Sequence, residues 1–329
     1  MTRFIVRRAI GAIVTMFFVS IMIFVVMELP PGDYADRYAF RKLGSMTLTP
    51  ADVDAIRERL GLDRPAPVRY VEWIGNIVTK GDFGESFAFA TSVNNVIGSR
   101  LWLTMAILFS TLILTYLISI PFGIYAAVRR RSAADYSLTV LSYLGLALPN
   151  FLLAMLMLYA SIRLFDTTLG GLFSDRYKDA PWSWGKVFDL STHLVVPAVV
   201  LAWSAMAFQL QTVRATMLDE LNKLSVTAAR ARGVPEMKLI LKYPARLALN
   251  PVVSTMGFDG NRIFSELPIV ALVLSLPELG ELLLKSFLDL DMYVAGAILL
   301  MMTLFIVAMN FVSDVLLTML DPRIRLQHL

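Results

Sequence analysis

Residues 219–246 are polar and charged, yet they lie between two apolar runs, Leu194 to Leu218 and Leu247 to Leu274, each long enough to span a membrane. No other feature constrains the fold as strongly. A charged stretch of this length cannot sit in hydrocarbon, because its side chains and irregular backbone would go unsatisfied there. Its excess of Lys and Arg places it on the cytoplasmic side. Within it, Ala228, Ala229 and Ala231 form a short helix of low side-chain bulk, and Gly233 ends it by taking positive φ. Such a helix lets a partner protein approach closely. Arg230 and Arg232 can pair with carboxylates on that partner, although a merely solvated basic loop would have the same composition.

Composition supports the membrane reading. Hydrophobic residues make up 57% of the 329 and charged residues 17%, against about 45–50% and 25% in soluble domains. Mean hydropathy is +0.65. The chain has no Cys, so it has no disulfide, thiol nucleophile or Cys-based metal site. His193 and His328 are too far apart to suggest a metal. The basic balance follows from cytoplasmic loops, and no nucleic-acid partner is expected.

The apolar runs predict six spans with both termini cytoplasmic. The first covers about Ala9 to Leu29, preceded by Arg3, Arg7 and Arg8 and followed by Pro30-Pro31 with no cleavage site, so it reads as a retained anchor. Residues 1–29 thus form the N-terminus and first span. Residues 30–100 are polar and aromatic enough to fold as a small extracytoplasmic domain, with a short helix opening at Thr49 or Pro50, closing at Gly61 and placing Val53, Ile56 and Leu60 on one face. The second span covers about Leu101 to Val128, with a kink expected at Pro121 and Gly123 and a close at Arg129 to Arg131. The third, Tyr136 to Phe165, is interrupted at Pro149-Asn150, where Asn150 is expected to cap the broken helix. A second outer loop carries Trp182 and Trp184 at the interface. The fourth and fifth spans flank the polar insert, and the sixth covers Met292 to Leu320. Residues 101–320 form the five-helix core including the insert, and 321–329 a basic inner tail.

The fifth span is unusual. Asp259, Arg262 and Glu266 are three and four residues apart and so share a helical face, with Asn261 beside them. In hydrocarbon, charged groups cost about 2.5–3.5 kcal/mol each unless paired or facing water. The stripe therefore lines a translocation path, or it neutralises itself and fixes packing against another subunit. Gln209, Gln211 and Arg214 would line an inner vestibule, while Asn310 and Asp314 would bond between helices. No G-x-x-x-x-G-K-[ST], H-E-x-x-H or G-x-S-x-G occurs, so no phosphate loop or common hydrolase signature is present. A stand-alone secondary transporter would favour internal repeats, and none is visible.

Several segments, in order along the chain, resemble the membrane permease subunit of bacterial ATP-binding-cassette importers, in the oligopeptide/dipeptide/nickel branch. They are LPPGDYADRYAF (Leu29 to Phe40), RERLGLDRPAPVRYVEWIGNIVTKGDFGES (Arg57 to Ser86), RLWLT (Arg100 to Thr104) and LDPRIR (Leu320 to Arg325). Trp102 stands where the branch often has Pro. The insert resembles the family's Glu-Ala-Ala-x-x-x-Gly loop, here Thr227-Ala228-Ala229-Arg230-Ala231-Arg232-Gly233, with Thr227 in place of Glu. The fifth span departs from the branch, which is Gly-rich and apolar there; Ala271 stands at roughly the position of the branch's Glu.

The resemblance implies an all-α membrane protein with the six-helix type I ABC importer permease fold in the bacterial inner membrane. It implies a coupling helix at Thr227, Ala228, Ala229, Arg230, Arg232 and Gly233, seated on an ATPase. The implied partners are a second homologous permease, two ATP-binding-cassette ATPase subunits, a periplasmic solute-binding protein and membrane lipid. No cofactor is implied in this chain, since ATP and Mg reside on the ATPase subunits and this chain is a transport subunit, not an enzyme. Peptides are the branch's cargo; oligosaccharides, opines and nickel are carried by relatives, and nickel fits poorly with spans lacking His and Cys clusters.

Overall fold

A computed structural model describes residues 2–29, 32, 35–36, 50–59, 61–165, 170–174, 176–178 and 180–320. Most of the Pro-Gly-Asp segment, Thr49, Leu60 and the tail from 321 to 329 lie outside the described residues. The described chain is helical apart from one two-stranded hairpin. Four helices are long and apolar enough to cross a membrane: Arg3–Glu28, Val93–Val128, Trp184–Leu221 and Met292–Leu320. A fifth candidate is the pair Ala133–Ala147 and Asn150–Leu164, bent by 103° at its break. That break falls at the expected Pro149-Asn150, since proline disfavours helical backbone in the residue before it.

The chain divides into two compact units. One comprises Ile13–Thr104 and Pro277–Phe305. It contains most of α1 (Thr2–Glu28), then α2 (Pro50–Arg59), α3 (Ala66–Lys80), the strands β1 (Glu85–Ser86) and β2 (Thr91–Ser92), and the start of α4 (Val93–Val128). The short helix α2 appears where expected, with Gly61 at φ +66 beyond its end. Helix α3 is amphipathic, and its buried Trp73 packs against Ile23, Phe24 and Met27 of α1 and against Leu300. The GDFGES turn is built by its polar side chains. Gly81 closes α3 at φ 65, Asp82 Oδ1 accepts from Gly84 N (2.9 Å), and Asn94 Nδ2 donates to Gly81 O (2.7 Å). Ser86 Oγ donates to the fully buried Asp291 (2.5 Å), which also accepts from Ala88 N (3.0 Å). These bonds give the hairpin a fixed seat near the start of the last helix.

The other unit comprises Met1–Ala12, Met105–Leu276 and Ile306–Leu329. It holds the remainder of α4, then α5 (Ala133–Ala147), α6 (Asn150–Phe165), α7 (Trp184–Leu221), α8 (Leu224–Ala231), α9 (Glu236–Lys242), α10 (Pro244–Ser254) and α11 (Met256–Val273). Helix α7 is its centre, packing against α5, α6, α10 and α11. Small residues permit this. Cβ atoms added at Gly145 of α5 and Gly123 of α4 would fall 2.8 Å from Ala207 Cβ and Val213 Cβ, so both glycines mark backbone-close crossings. Helix α4 runs through Pro121 as one helix. Beyond residue 276 the chain forms α12 (Leu279–Asp289), whose first turn Glu278 caps, and α13 (Met292–Leu320), matching the expected sixth span.

The expected fifth span, Leu247 to Leu274, is two helices, α10 and α11, parted at Thr255. Pro251 removes a backbone donor in the last turn of α10, and the Thr255 hydroxyl lies 3.1 Å from the Pro251 carbonyl, competing with regular helix bonding.

Candidate functional site

Two places answer to the sequence expectations. The first is the insert after α7. Helix α8 buries Val226 and Ala229 against Val213 and Met217 of α7, Leu239 and Ile240 of α9, and Ala245 and Ala248 of α10. Its opposite face exposes Thr227, Ala228, Arg230 and Ala231. The helix ends in a Schellman motif: Val234 N donates to Ala229 O (3.3 Å) and Gly233 N to Arg230 O (3.0 Å). Gly233 stands at φ +76, a conformation in which a Cβ is strained. The expected helix, stop and low-bulk face are all present.

The arginines differ in use. Arg230 grips Glu236 through Nε (3.0 Å) and Nη2 (2.5 Å), clipping α8 to the first turn of α9. The Arg230 bond holds the Glu236 carboxyl below the usual carboxylate range, and the same bond raises the guanidinium. Arg230 is therefore engaged within the chain. Arg232 is exposed at the end of the helix. Leu224, Met237 and Leu241 around the insert are 86%, 71% and 59% exposed, an apolar rim.

The second place is the charged stripe on α11. Asp259 is fully buried, and its Oδ2 accepts from Tyr116 Oη of α4 (2.8 Å) and Gln209 Nε2 of α7 (2.5 Å). Gln209 also donates to Thr255 Oγ1 (2.8 Å) at the α10–α11 break. Glu266 accepts from Asn150 Nδ2, which also reaches Ser204 Oγ (3.2 Å) and Leu201 O (3.4 Å) of α7. The Asn150 side chain thus joins three helices; the expected capping role is replaced because Asn150 is itself the first residue of α6 and its amide points inward. Arg262 places its guanidinium carbon 5.9 Å from the centre of the Phe208 ring. Asn261 lies on the exposed face, in register with Phe258, Ser265, Ile269 and Leu272. The stripe therefore runs from exposed Asn261, through half-buried Arg262 and Glu266, to fully buried Asp259.

Other polar residues also resolve. Arg214 grips Asp135 of α5 through Nε (2.6 Å) and Nη2 (3.0 Å), and Gln209 bonds inside the bundle, so both tie helices together where the sequence suggested a vestibule. Asp314 pairs with Arg8 of α1 (3.1 Å), the interhelical bond expected of it. Asn310 packs against Gly257, where a Cβ would overlap its Oδ1. Tyr116 and Ser204 went unnoticed in the sequence, since each sits in an apolar run with no local partner. Among the described residues no group of His, Cys, Asp and Glu could hold a metal ion.

Residues 119–326 match the family described as "Binding-protein-dependent transport system inner membrane component". Residues 1–108 match the family described as the N-terminal part of the membrane component of binding-protein-dependent transport systems. A Brucella ovis protein, named provisionally as a peptide permease, is 34% identical over 327 residues, covering 99% of each chain. The oligopeptide transport system permease protein AppB of Bacillus subtilis is 33% identical over 332 residues, covering 98% of this chain and 99% of its own. A Sinorhizobium fredii protein, named provisionally as a peptide ABC transporter permease, is 28% identical over 323 residues. This chain is a multi-helix member of the family of inner-membrane components of binding-protein-dependent transport systems.

Proposed function

We propose that this chain is the permease subunit of an ATP-driven ABC importer, forming half of the translocation path for di- and oligopeptides handed over by a periplasmic binding protein. The observation that carries this reading is the likeness, along 98% or more of the chain, to proteins whose names specify peptide transport. An oligosaccharide or opine importer with the same machinery is the second reading; it is favoured only if the binding protein's bound solute is a sugar or opine.

Six spans are assigned: the four long helices, the bent pair α5–α6, and α10–α11 as one broken span. Both termini and the insert 219–246 face the cytoplasm, while residues 30–100 face outward. The exposed side of α8, with Thr227, Ala228 and Arg232, docks on an ATPase subunit, and the apolar rim of Leu224, Met237 and Leu241 widens the contact. Ala229 and Gly233 serve the coupling helix from within, through burial and through the stop; Arg230 does so by clipping it to α9. A helix held on one side and bare on the other transmits a rigid push to α7 and α10, against which it is packed. The second permease covers the exposed face of α11, so that Asn261, Arg262 and Glu266 border the path between the two, with Asp259 as their anchor. ATP and Mg act on the two ATPase subunits, and this chain contributes geometry.

Purification in mild detergent with mass spectrometry of the co-purifying chains tests the assembly. A pair of ATPases, a second permease and a binding protein loaded with peptide are expected. A chain that runs alone and moves solute without ATP would defeat the reading.

A further inference from the structure

Three arginines in the α4–α11 unit can be compared nitrogen by nitrogen. Arg214 holds Asp135, and Arg230 holds Glu236, each through the edge formed by Nε and Nη2. In Arg262 this same edge is buried and meets no hydrogen-bond partner from the protein. Its two nearest acids along the helix, Asp259 and Glu266, are taken by neutral donors: Tyr116 and Gln209 for one, Asn150 for the other. Among the described residues no ion pair within 4.0 Å joins Arg262 to either. The chain thus brings three neutral donors from other helices to its acids and leaves the Nε–Nη2 edge of its base without a hydrogen bond.

The guanidinium sits by the Phe208 ring, whose face can support a flat cation, and its Nε and Nη2 are covered in this state, so a ligand reaches them only when the helices around α11 part. Nε and Nη2 together match the two oxygens of a carboxylate. Beside them, the exposed face of α11 carries the polar Asn261 and Ser265 between the apolar Phe258 and Ile269. Asp259 and Glu266, at positions −3 and +4 from Arg262, weaken its grip on an anion, as a site that must release its cargo requires.

We propose that Arg262 is a carboxylate receptor in the transport path, taking the C-terminal carboxylate of each passing peptide. This rests on the peptide-importer reading above. Its test uses the complete transporter, with its partner subunits and binding protein, in proteoliposomes. Uptake is compared for two peptides of one sequence without acidic side chains, one a free acid and one a C-terminal amide, chosen because the binding protein takes both. The readout is the variant-to-wild-type ratio for each peptide, which cancels the binding protein's own preference.

Arg262→Gln is expected to cut free-acid uptake about tenfold, equivalent to about 1.4 kcal/mol, and to leave amide uptake within about twofold. Arg262→Lys, a charge without the two-nitrogen edge, is expected to fall between. Equal loss for both peptides, or no loss for either, overturns the proposal in favour of gating or packing. If Arg262→Gln fails to assemble, Arg262→Lys decides; failure of both variants to assemble makes the residue structural and also overturns it. Wild-type transporter that moves neither peptide fails differently: the peptide reading itself falls, and the inference with it.

Discussion

A carboxylate buried among apolar helices persists only where donors meet it, and Asp259 is met twice, by Tyr116 and Gln209. Removing one donor should weaken the bundle without emptying the site. Tyr116→Phe is expected to lower stability by about 1 kcal/mol, within the range measured for hydrogen bonds between membrane helices. Asp259→Ala strands both donors and is expected to cost more, about 1–3 kcal/mol. Thermal unfolding in detergent reads both. If Asp259→Ala matches wild type in stability, the residue is not an anchor. The charge of Asp259 was visible in the sequence; its partners were not. Tyr116 and Gln209 are 143 and 50 residues away; Tyr116 does not stand out in its apolar run, and Gln209 read as a vestibule residue. The same distance hid the Asp135–Arg214 pair, 79 residues apart, so Arg214 read as a vestibule residue. A one-dimensional pattern shows that a polar group needs a partner. It does not show which helix supplies one.

Helix α8 separates two adjacent alanines by function. Ala229 is fully buried against α7, α9 and α10, while Ala228 is exposed. Ala228→Trp is therefore expected to leave folding intact and block the docking of an ATPase, seen as lost co-purification and lost ATP-coupled uptake. Ala229→Trp overpacks a closed interior and is expected to destabilise the chain by about 1–3 kcal/mol. Equal effects of the two on stability would remove the distinction between a docking face and a packed face. The Arg230–Glu236 clip adds a pH signature. Glu236 titrates below its usual value in the folded chain, so the stability it lends is present at neutral pH and is lost as pH falls through that lowered value, beneath the ordinary glutamate value of 4.5. Both groups are exposed, so Glu236→Gln at neutral pH should quicken amide exchange at the α8–α9 turn and leave the melting temperature unchanged. At this scale the sequence was informative, because the alanine run and the glycine stop are local signals. The break of the fifth span was less legible. Pro251 and Thr255 each carry a weak hint, and the tertiary bond from Gln209 to Thr255 completes it.

For the whole chain, the order of apolar runs foretold the long helices and the bend at Pro149-Asn150, since length and hydropathy decide both. What length cannot decide is how many segments cross the bilayer. Helix α11 has 18 residues and three charges and, alone or with α10, is not among the segments long and apolar enough to cross, so counting α10–α11 as a span requires that its charges face protein or water. Sidedness is equally outside the reach of helix geometry, and the Lys and Arg bias is what assigns it. The absence of cysteine makes this testable without background labelling. Single cysteines placed at exposed Thr79, at the end of α3, and at exposed Ser225, in α8, should react with a membrane-impermeant maleimide from opposite sides. In spheroplasts Thr79→Cys is expected to label at once, and Ser225→Cys only after permeabilisation. The reverse order would invert the topology and remove the insert from reach of any ATPase. Labelling of both from one side would require that the segments between them cross an even number of times, and the six-span assignment would fail.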